Sequence, residues 1–470
     1  MSIHARSATL ADSALILEWR NHESSRKYSA NNQIIGTEEH EKWYEHRLKQ
    51  IDDQSFWIFG SNTSNLGYVR LDRLIASENT FEISICINPD FQNLGYGKDM
   101  LAKSVFMHFE KYPKSKITAR VNVNNSSSVS LFTKAGFTEK AHLDNFLVFE
   151  KINKNLRFIF RADASDQIGT GHTQRSLGLI LELLELGYDV IFVGDTSGIP
   201  WVTDQIKSLG FSKILSNDQD FISNSKTDIL ILDSYVIPVD SEFINKSKWF
   251  LVVVIHDLHT PAYNSDLIIH PGVSENVTVK ENTKLLAGPP YILLRKSIKR
   301  LPKKSRSSGL VVTVVGGGID KIGFAREMSK YLKLIPGKFK VNFFTYDASG
   351  IESDQRFTTF DFGNKLDEVG NYSDLVFCTA SSTALEFVAR GTAVGIVCAS
   401  INQEQYYDVL PKLGVAEAVG IFRDGKWGLD SRVIHDLISS KKLRNQLSRK
   451  SLELIDFNGV KRVVGEIMNF

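Results

Sequence analysis

The chain has 470 residues, of which 42% are hydrophobic and 23% charged, and its 56 basic and 54 acidic side chains leave a net charge of +2. At about 150 residues per domain, this is material for roughly three domains with real cores. A disordered, collagenous or disulfide-stapled chain is excluded, and so near-neutral a balance gives no reason to expect a nucleic acid or a membrane surface as partner.

The three cysteines, Cys86, Cys378 and Cys398, sit in apolar, strand-like runs without zinc-ligand spacing. They read as small buried hydrophobes in a reducing compartment. The first residues, Met1 to Arg6, lack the apolar segment of a signal peptide. The longest strongly apolar runs, such as Phe250 to Ile255, are far shorter than the roughly 18–20 residues that span a bilayer. The expectation is a cytoplasmic protein. Short β-branched runs alternate with stretches of helical period, punctuated by Gly and Pro, which is an α/β pattern. Two polar stretches, Lys151 to Asn155 and Lys303 to Gly309, divide the chain into 1–152, 156–304 and 308–470.

In the first piece a strand over Phe81 to Asn88 leads to Gln92-Asn-Leu-Gly-Tyr-Gly97 and a helix from Lys98 to Phe109. Glycines permit a sharp turn, and N–H groups at a helix start face a diphosphate favourably. Downstream come Ala119-Arg-Val-Asn-Val-Asn-Asn-Ser-Ser-Ser128 and Leu131-Phe-Thr-Lys-Ala-Gly-Phe137. Together these segments resemble the Gcn5-related N-acetyltransferase (GNAT) superfamily, over nearly all of residues 1–150. The resemblance implies acetyl-CoA as co-substrate, with the backbone of Leu94, Gly95, Tyr96, Gly97 and Lys98 at its diphosphate and Asn125 near its pantetheine arm. It also implies direct attack of an amine on the thioester, for which Glu82, on the strand before the loop, is the candidate base. Phe132 stands where many members carry a Tyr able to protonate the leaving thiolate. The early segments Leu17-Glu-Trp-Arg-Asn-His22 and Glu39-His-Glu-Lys-Trp43 resemble the acetyltransferases of pseudaminic-acid biosynthesis. Those act on the 4-amine of a UDP-linked 4-amino-4,6-dideoxy sugar, so Arg20, Asn21 and His22 would line the sugar-nucleotide side.

The second piece begins with a strand at Phe158 to Phe160, the turn Ile168-Gly-Thr-Gly-His172, and a helix carrying Leu177, Ile180, Leu181 and Leu184. His172 falls at the start of that helix, where the positive helix end disfavours imidazolium and leaves a neutral base near pH 7. The third piece repeats the pattern, with a strand at Val311 to Val315, Gly316-Gly-Gly318, and a helix near Phe324 to Leu332. Two successive Rossmann-like lobes with a ligand cleft between them are the natural expectation.

Arg161, Asp163, Ser165, Ile168, Gly169, Gly171, His172 and Arg175 fit the pattern R-x-D-x-S-x-x-I-G-x-G-H-x-x-R. With Ala287-Gly-Pro-Pro-Tyr-Ile-Leu-Leu-Arg295, Ala380-Ser-Ser-Thr-Ala-Leu-Glu386 and Asn402-Gln403, this resembles the UDP-sugar hydrolases of the same pathway, from about residue 156 onward. That family has two lobes in the manner of GT-B glycosyltransferases. The resemblance implies that His172 activates the attacking water and that the second lobe holds UDP. Gly316 and Gly317 would approach the diphosphate, with Ser381 and Ser382 as further contacts, and Glu386 would accept from the ribose hydroxyls. Asp163, Gly169, Gly171, Arg175, Tyr235, Asp257, Arg295, Asn402 and Gln403 complete the expected substrate set. The sequence departs from the family at Ser234, at His256 and at His270-Pro271-Gly272, positions expected to face the sugar. The expected function is therefore a fusion: acetylation of a UDP-4-amino sugar, then hydrolysis of the UDP-2,4-diacetamido-2,4,6-trideoxy-β-L-altropyranose product, on the way to surface glycans. The alternatives are a UDP-sugar glycosyltransferase fused to an acetyltransferase, or a non-catalytic sugar-nucleotide binder. No metal is expected; His256 and His259 near Asp257 read as a strand-end loop.

Overall fold

The computed structural model describes residues 3–470 except 50–53, 62, 75–78, 166, 212, 219–220, 235, 258–262, 274–276, 301–308, 318–319, 321 and 362–364. The chain divides into two compact units, 1–154 with 468–470, and 155–467. Among the described residues, no helix is long and apolar enough to cross a membrane.

The first unit is a seven-stranded sheet: β1 (His4–Ser7), β2 (Gln54–Gly60), β3 (Asn65–Arg73), β4 (Thr80–Ile87), β5 (Lys116–Asn122), β6 (Thr138–Leu143) and β7 (Phe146–Ile152), in the order β1-β2-β3-β4-β5-β7-β6. Neighbours are antiparallel except β4 and β5. That parallel pair is registered only from Thr80–Lys116 to Glu82–Thr118, although both strands run on. The sheet is thus split beyond Glu82, which leaves backbone edges for a ligand between the two strands. The helix Tyr96–Lys111 buries Met100, Leu101, Val105 and Phe109 against the sheet residues Val69, Leu71, Phe81 and Ile117.

The second unit has two further seven-stranded sheets. The first comprises β8 (Arg157–Ala162), β9 (Asp189–Val193), β10 (Lys213–Leu215), β11 (Asp228–Asp233), β12 (Leu251–Ile255), β13 (Leu267–His270) and β14 (Lys284–Ala287), all parallel, ordered β10-β9-β8-β11-β12-β13-β14. The second comprises β15 (Leu310–Val315), β16 (Phe339–Phe344), β17 (Phe357–Phe360), β18 (Leu375–Thr379), β19 (Ala393–Cys398), β20 (Glu417–Arg423) and β21 (Lys426–Leu429), ordered β17-β16-β15-β18-β19-β20-β21. Only its last pair is antiparallel. The central strands β11, β12, β18 and β19 are buried at every position. Continuous apolar runs of this kind are what a parallel sheet covered on both faces requires.

In both sheets the chain winds outward one way, returns, and winds the other way. The reversals lie between β8 and β11 and between β15 and β18, and such points open a crevice at the carboxyl ends of the strands. The last helix, Gly459–Met468, returns to the first of these two sheets, where Glu466 pairs with Lys284 of β14 at 2.6 Å. A Cβ on Gly178 would lie 2.6 Å from the Leu294 carbonyl oxygen, so the helix Gly171–Glu185 needs glycine there to approach the segment joining the two sheets.

Candidate functional site

In the first unit the expected acetyl-CoA loop lies at the open end of β4. Asn88 caps a short turn at Pro89–Phe91, and Gly95, with φ +87°, precedes the helix Tyr96–Lys111. The left-handed backbone at Gly95 turns the chain without strain only for glycine. Gly97 is buried, and a Cβ there would meet Ile87 Cδ1 at 2.7 Å, so its role is close packing of helix on strand. The first N–H groups of a helix have no partner within it and suit an anion. Lys98 departs from the expected set, since its N–H donates to the Gly95 carbonyl oxygen at 3.1 Å. Leu94 is exposed at the tip.

Asn125 is engaged differently from the expectation. Its Oδ1 accepts from the Ser128 N–H at 3.0 Å and caps the helix Ser126–Lys134. Phe132 lies in the core against Phe137 and Phe149, which accounts for an aromatic without a hydroxyl at that position. Glu82 sits at the last registered pair before the sheet splits and accepts from Arg120 Nε at 3.0 Å. Any base chemistry at Glu82 therefore proceeds beside a guanidinium.

Arg20, Asn21 and His22 hold a neighbouring loop. Asn21 Nδ2 donates to the Ile35 carbonyl, and its Oδ1 accepts from the Ile35 N–H, at 2.8 and 2.9 Å. Arg20 donates to Ser29 Oγ and the Asn31 carbonyl. His22 Nδ1 caps Ser24. The sequence suggested ligand contacts for these three side chains; the structure uses them first to shape residues 22–36.

The second unit contains a cavity of about 460 Å³ lined from both sheets. On the first-sheet side, the turn after β8 closes through the Gly169 N–H to the Ser165 carbonyl at 2.7 Å, with Gly169 at φ +77°. It delivers His172 to the second position of the helix Gly171–Glu185. His172 is only 5% exposed. Burial pushes its pKa below the ordinary imidazole value, against the opposing charges of Asp233, Asp257 and Asp163 and with the help of Arg175. The ring is a neutral base at pH 7.

Arg175, one turn further along, binds Asp233 through Nε at 2.7 Å and Nη2 at 2.5 Å, and Asp257 through Nη1 at 2.7 Å. Ser176 Oγ also donates to Asp233. This bidentate arrangement is strong and directional. It makes Arg175 a positioning residue that orders two carboxylates around His172. Tyr406 completes this wall, its hydroxyl held protonated by burial and by the charge of Asp257.

On the second-sheet side, Ser381 is the N-cap residue of the helix Ser382–Arg390 but makes no side-chain cap bond. A Cβ on Gly171 would lie 3.6 Å from Ser382 Oγ, so the two helix starts face each other across the cavity. Arg295 lines the cavity and binds Glu386 at 3.1 and 2.9 Å and Asp367 at 3.1 and 3.3 Å. Burial works against the Arg295 charge, but Glu386 and Asp367 outweigh it and hold the guanidinium above its usual value. Arg390 adds a second guanidinium partner for Asp367 at 2.7 Å.

Gly316, which lines the cavity, also has a structural task. Asp320 accepts from the N–H groups of Phe324 and Ala325 at 2.8 and 3.1 Å, occupying the start of the helix Phe324–Leu334. Burial pushes its carboxyl up to about 6. A Cβ on Gly316 would be driven into that carboxylate, so the glycine makes room for the cap. Gly317, at φ +87°, lines the cavity. Asn402 and Gln403 line it too, with Gln403 Oε1 fixed by the Ala399 N–H at 2.9 Å.

The cavity thus brings together His172, Gly169, Gly171, Arg175, Asp257, Arg295, Gly316, Gly317, Ser381, Ser382, Glu386, Asn402 and Gln403. Asp163 stands behind it, accepting from the Asp195 N–H at 2.9 Å and from Ser234 Oγ at 3.4 Å. Tyr235 lies outside the described residues. His256 and His270 are buried at the ends of β12 and β13. Sequence reasoning missed Asp233, Asp367, Asp320, Tyr406 and Trp201 as site residues. Asp233 alone had a usable signal, an acid ending an otherwise apolar parallel strand.

Among the described residues, no cluster of three or more His, Cys, Asp or Glu is placed to hold a metal ion. The acetyltransferase (GNAT) domain family matches residues 3–138. A UDP-2,4-diacetamido-2,4,6-trideoxy-β-L-altropyranose hydrolase of Campylobacter jejuni is 22% identical over 172 residues, which is 35% of this chain and 61% of that protein. The match therefore spans less than two thirds of that relative. A spermidine N-acetyltransferase from Vibrio cholerae, solved with CoA and spermine, is 18% identical and covers 32% of this chain and 95% of its own, with a TM-score of 0.30. A Salmonella typhimurium structure with acetyl-CoA is 21% identical, covers 32% and 94%, and has a TM-score of 0.28. The chain carries a GNAT acetyltransferase domain at its N-terminus, and about a third of the chain has weak similarity to a UDP-sugar hydrolase.

Proposed function

We propose that the chain is a bifunctional enzyme acting on a UDP-linked amino sugar. Its first unit acetylates the 4-amine of a UDP-4-amino-4,6-dideoxy-HexNAc, and its second unit, read as two Rossmann-like lobes of the GT-B kind, releases UDP from the diacetamido product. The observation that carries the reading is the meeting of the His172 and Ser382 helix starts across one cavity. A neutral base stands on one wall and an anion-favouring helix end on the other, as cleavage of a sugar–diphosphate bond requires.

In the first step the amine attacks the thioester carbonyl, the C–S bond breaks, the amine proton goes to a base, and CoA leaves as a thiol. Glu82 is the candidate base, and the split between β4 and β5 suits the extended arm of acetyl-CoA. The glycine-led start of the helix Tyr96–Lys111 suits its diphosphate. In the second step water attacks the anomeric carbon, His172 takes its proton, and the C1–O bond to UDP breaks. The Ser382–Arg390 helix end suits the departing diphosphate better than the Phe324–Leu334 end, which Asp320 already occupies. Glu386 keeps lone pairs beyond those used by Arg295 and suits the ribose hydroxyls.

The test is UDP release from the diacetamido sugar nucleotide in buffer without an acceptor. His172→Ala should lower the rate by about 10²–10⁴-fold. Unchanged release in the variant contradicts the mechanism, and release only with a sugar acceptor favours a glycosyltransferase.

A further inference from the structure

The acetyltransferase unit carries a charged cluster beside Glu82 that the mechanism above does not use. On the antiparallel pair β3–β4, Asp72 stands directly opposite Glu82, and Arg70 opposite Ser84. Alternate residues of a strand share a face, so these four side chains project to one side of the sheet. Arg47, on the helix Thr37–Lys49, reaches the same cluster: its Nη1 lies 3.3 Å from Asp72 Oδ1, while Arg70 Nε lies 2.8 Å from Asp72 Oδ2. Among the described residues, Asp72 is the one carboxylate paired with either guanidinium, so two cations share one anion. Burial, with Arg70 adding to it, pushes the Arg47 guanidinium below its usual value, and Asp72 does not offset them. A further anion relieves that imbalance. Both side chains keep surface for one, Arg47 being 26% and Arg70 20% exposed. Trp43, one helical turn before Arg47, fixes the plane of Arg70, with its ring centroid 5.1 Å from Arg70 Cζ.

We propose that Arg47 and Arg70 hold the diphosphate of the sugar-nucleotide acceptor, one sugar ring away from the amine at Glu82. The inference rests on the acetyltransferase half of the reading above and gives the acceptor's anion a site there. Arg70 meets Asp72 through Nε and Arg47 through Nη1; each guanidinium has further N–H donors, in a fork that matches phosphate oxygens. The spacing fits as well. Arg70 and Glu82 are diagonal neighbours across the two strands, with Cα atoms about 7–8 Å apart. In a 4-amino sugar nucleotide the amine on C4 and the diphosphate on C1 stand at opposite ends of one pyranose ring, a comparable separation. Arg20, Asn21 and His22, the side chains expected at the nucleotide, are engaged in shaping residues 22–36 instead. The Arg47–Arg70 pair thereby makes the unit select an anionic acceptor over a neutral amino sugar.

The experiment follows CoA release by the full-length chain from acetyl-CoA and one of two acceptors. One is UDP-4-amino-4,6-dideoxy-HexNAc; the other is the methyl glycoside of the same amino sugar, which keeps the amine and lacks the diphosphate. Wild type is expected to prefer the nucleotide by at least roughly tenfold in kcat/KM, the worth of one hydrogen bond to a charged group, and UDP is expected to compete with the amino sugar. Arg70→Gln and Arg47→Gln are each expected to lose most of that preference, through a higher KM for the nucleotide and a higher Ki for UDP. A KM for acetyl-CoA close to wild type shows that a variant is folded; loss of a merely structural ion pair would not separate the two acceptors. A preference kept by the folded variants overturns the inference and leaves the acetyltransferase reading standing. So does a wild type that prefers neither acceptor or that UDP does not inhibit. Acetylation of neither acceptor by wild type overturns both. Should Arg70→Gln fail to fold, Arg47→Gln decides alone, since it leaves Arg70 to pair with Asp72.

Discussion

Replacing Arg175 with methionine perturbs the best-ordered part of the cavity. Arg175 and Asp233 have side chains 6% and 1% exposed, and three hydrogen bonds of 2.5–2.7 Å tie Arg175 to Asp233 and Asp257. The variant leaves Asp233 buried with Ser176 Oγ, at 3.2 Å, as a remaining donor. Removing one partner of a buried pair costs about 3–5 kcal/mol, because the other charge stays desolvated. For a unit of this size that corresponds to a loss of roughly 1–2 M in urea midpoint. On the proposed function, the affected transition should be the one that UDP shifts upward, since a ligand stabilises the unit that binds it. A second readout separates this from general damage. Arg175 lowers the His172 pKa while Asp233 and Asp257 raise it. Its removal therefore raises the pKa, and the acid limb of the pH–rate profile for UDP release moves to higher pH. A midpoint within about 0.3 M of wild type, or an acid limb that stays put or moves down, would refute the reasoning.

Other outcomes follow from single residues. Wild-type UDP release should fall only below pH 6.5, since burial lowers the His172 pKa from that ordinary value; a limb centred above pH 7 contradicts the buried neutral base. The same shift makes the second unit lose stability as pH drops below 6.5, because the unfolded chain takes up that proton first. Asn125→Ala removes a helix cap and should cost about 1 kcal/mol, seen as a lower melting temperature of the acetyltransferase unit. A tenfold loss of acetyl-CoA affinity without that drop would mark Asn125 as a ligand contact instead. Gly316→Ala forces Asp320 off the N–H groups of Phe324 and Ala325 and should destabilise the second unit by about 1–2 kcal/mol in urea titration; a neutral result would show that the cap can shift freely.

Local patterns in the sequence carried the strand–turn–helix units well. The strand Leu310–Val315, the helix from Phe324, and the glycine turn before His172 all depend on nearby residues, so a linear reading finds them. The cavity was legible for the same reason: its lining comes from turns after strands at the two reversals. Partner choice was not legible. Arg175 meets Asp233 and Asp257 only because β8, β11 and β12 lie side by side, and Arg295 meets Glu386 and Asp367 through contacts 91 and 72 residues apart. Such charges read as ligand contacts when alone and become internal scaffolding once paired. Asn21 shows the same effect over a shorter span, since both ends of its amide close on Ile35. Asp320 was hidden by the glycines before it, which drew attention to a phosphate while the structure supplies a carboxylate from the chain itself.

The central claim is two consecutive reactions in one chain, and one incubation tests it most directly. The full-length protein is given acetyl-CoA and a UDP-4-amino-4,6-dideoxy-HexNAc, without a sugar acceptor, and the products are followed by mass spectrometry. The account predicts CoA and the acetylated sugar nucleotide first, then UDP and a free diacetamido-trideoxy sugar. An acetylated sugar nucleotide that persists intact, or a starting amine that is never acetylated, would contradict it.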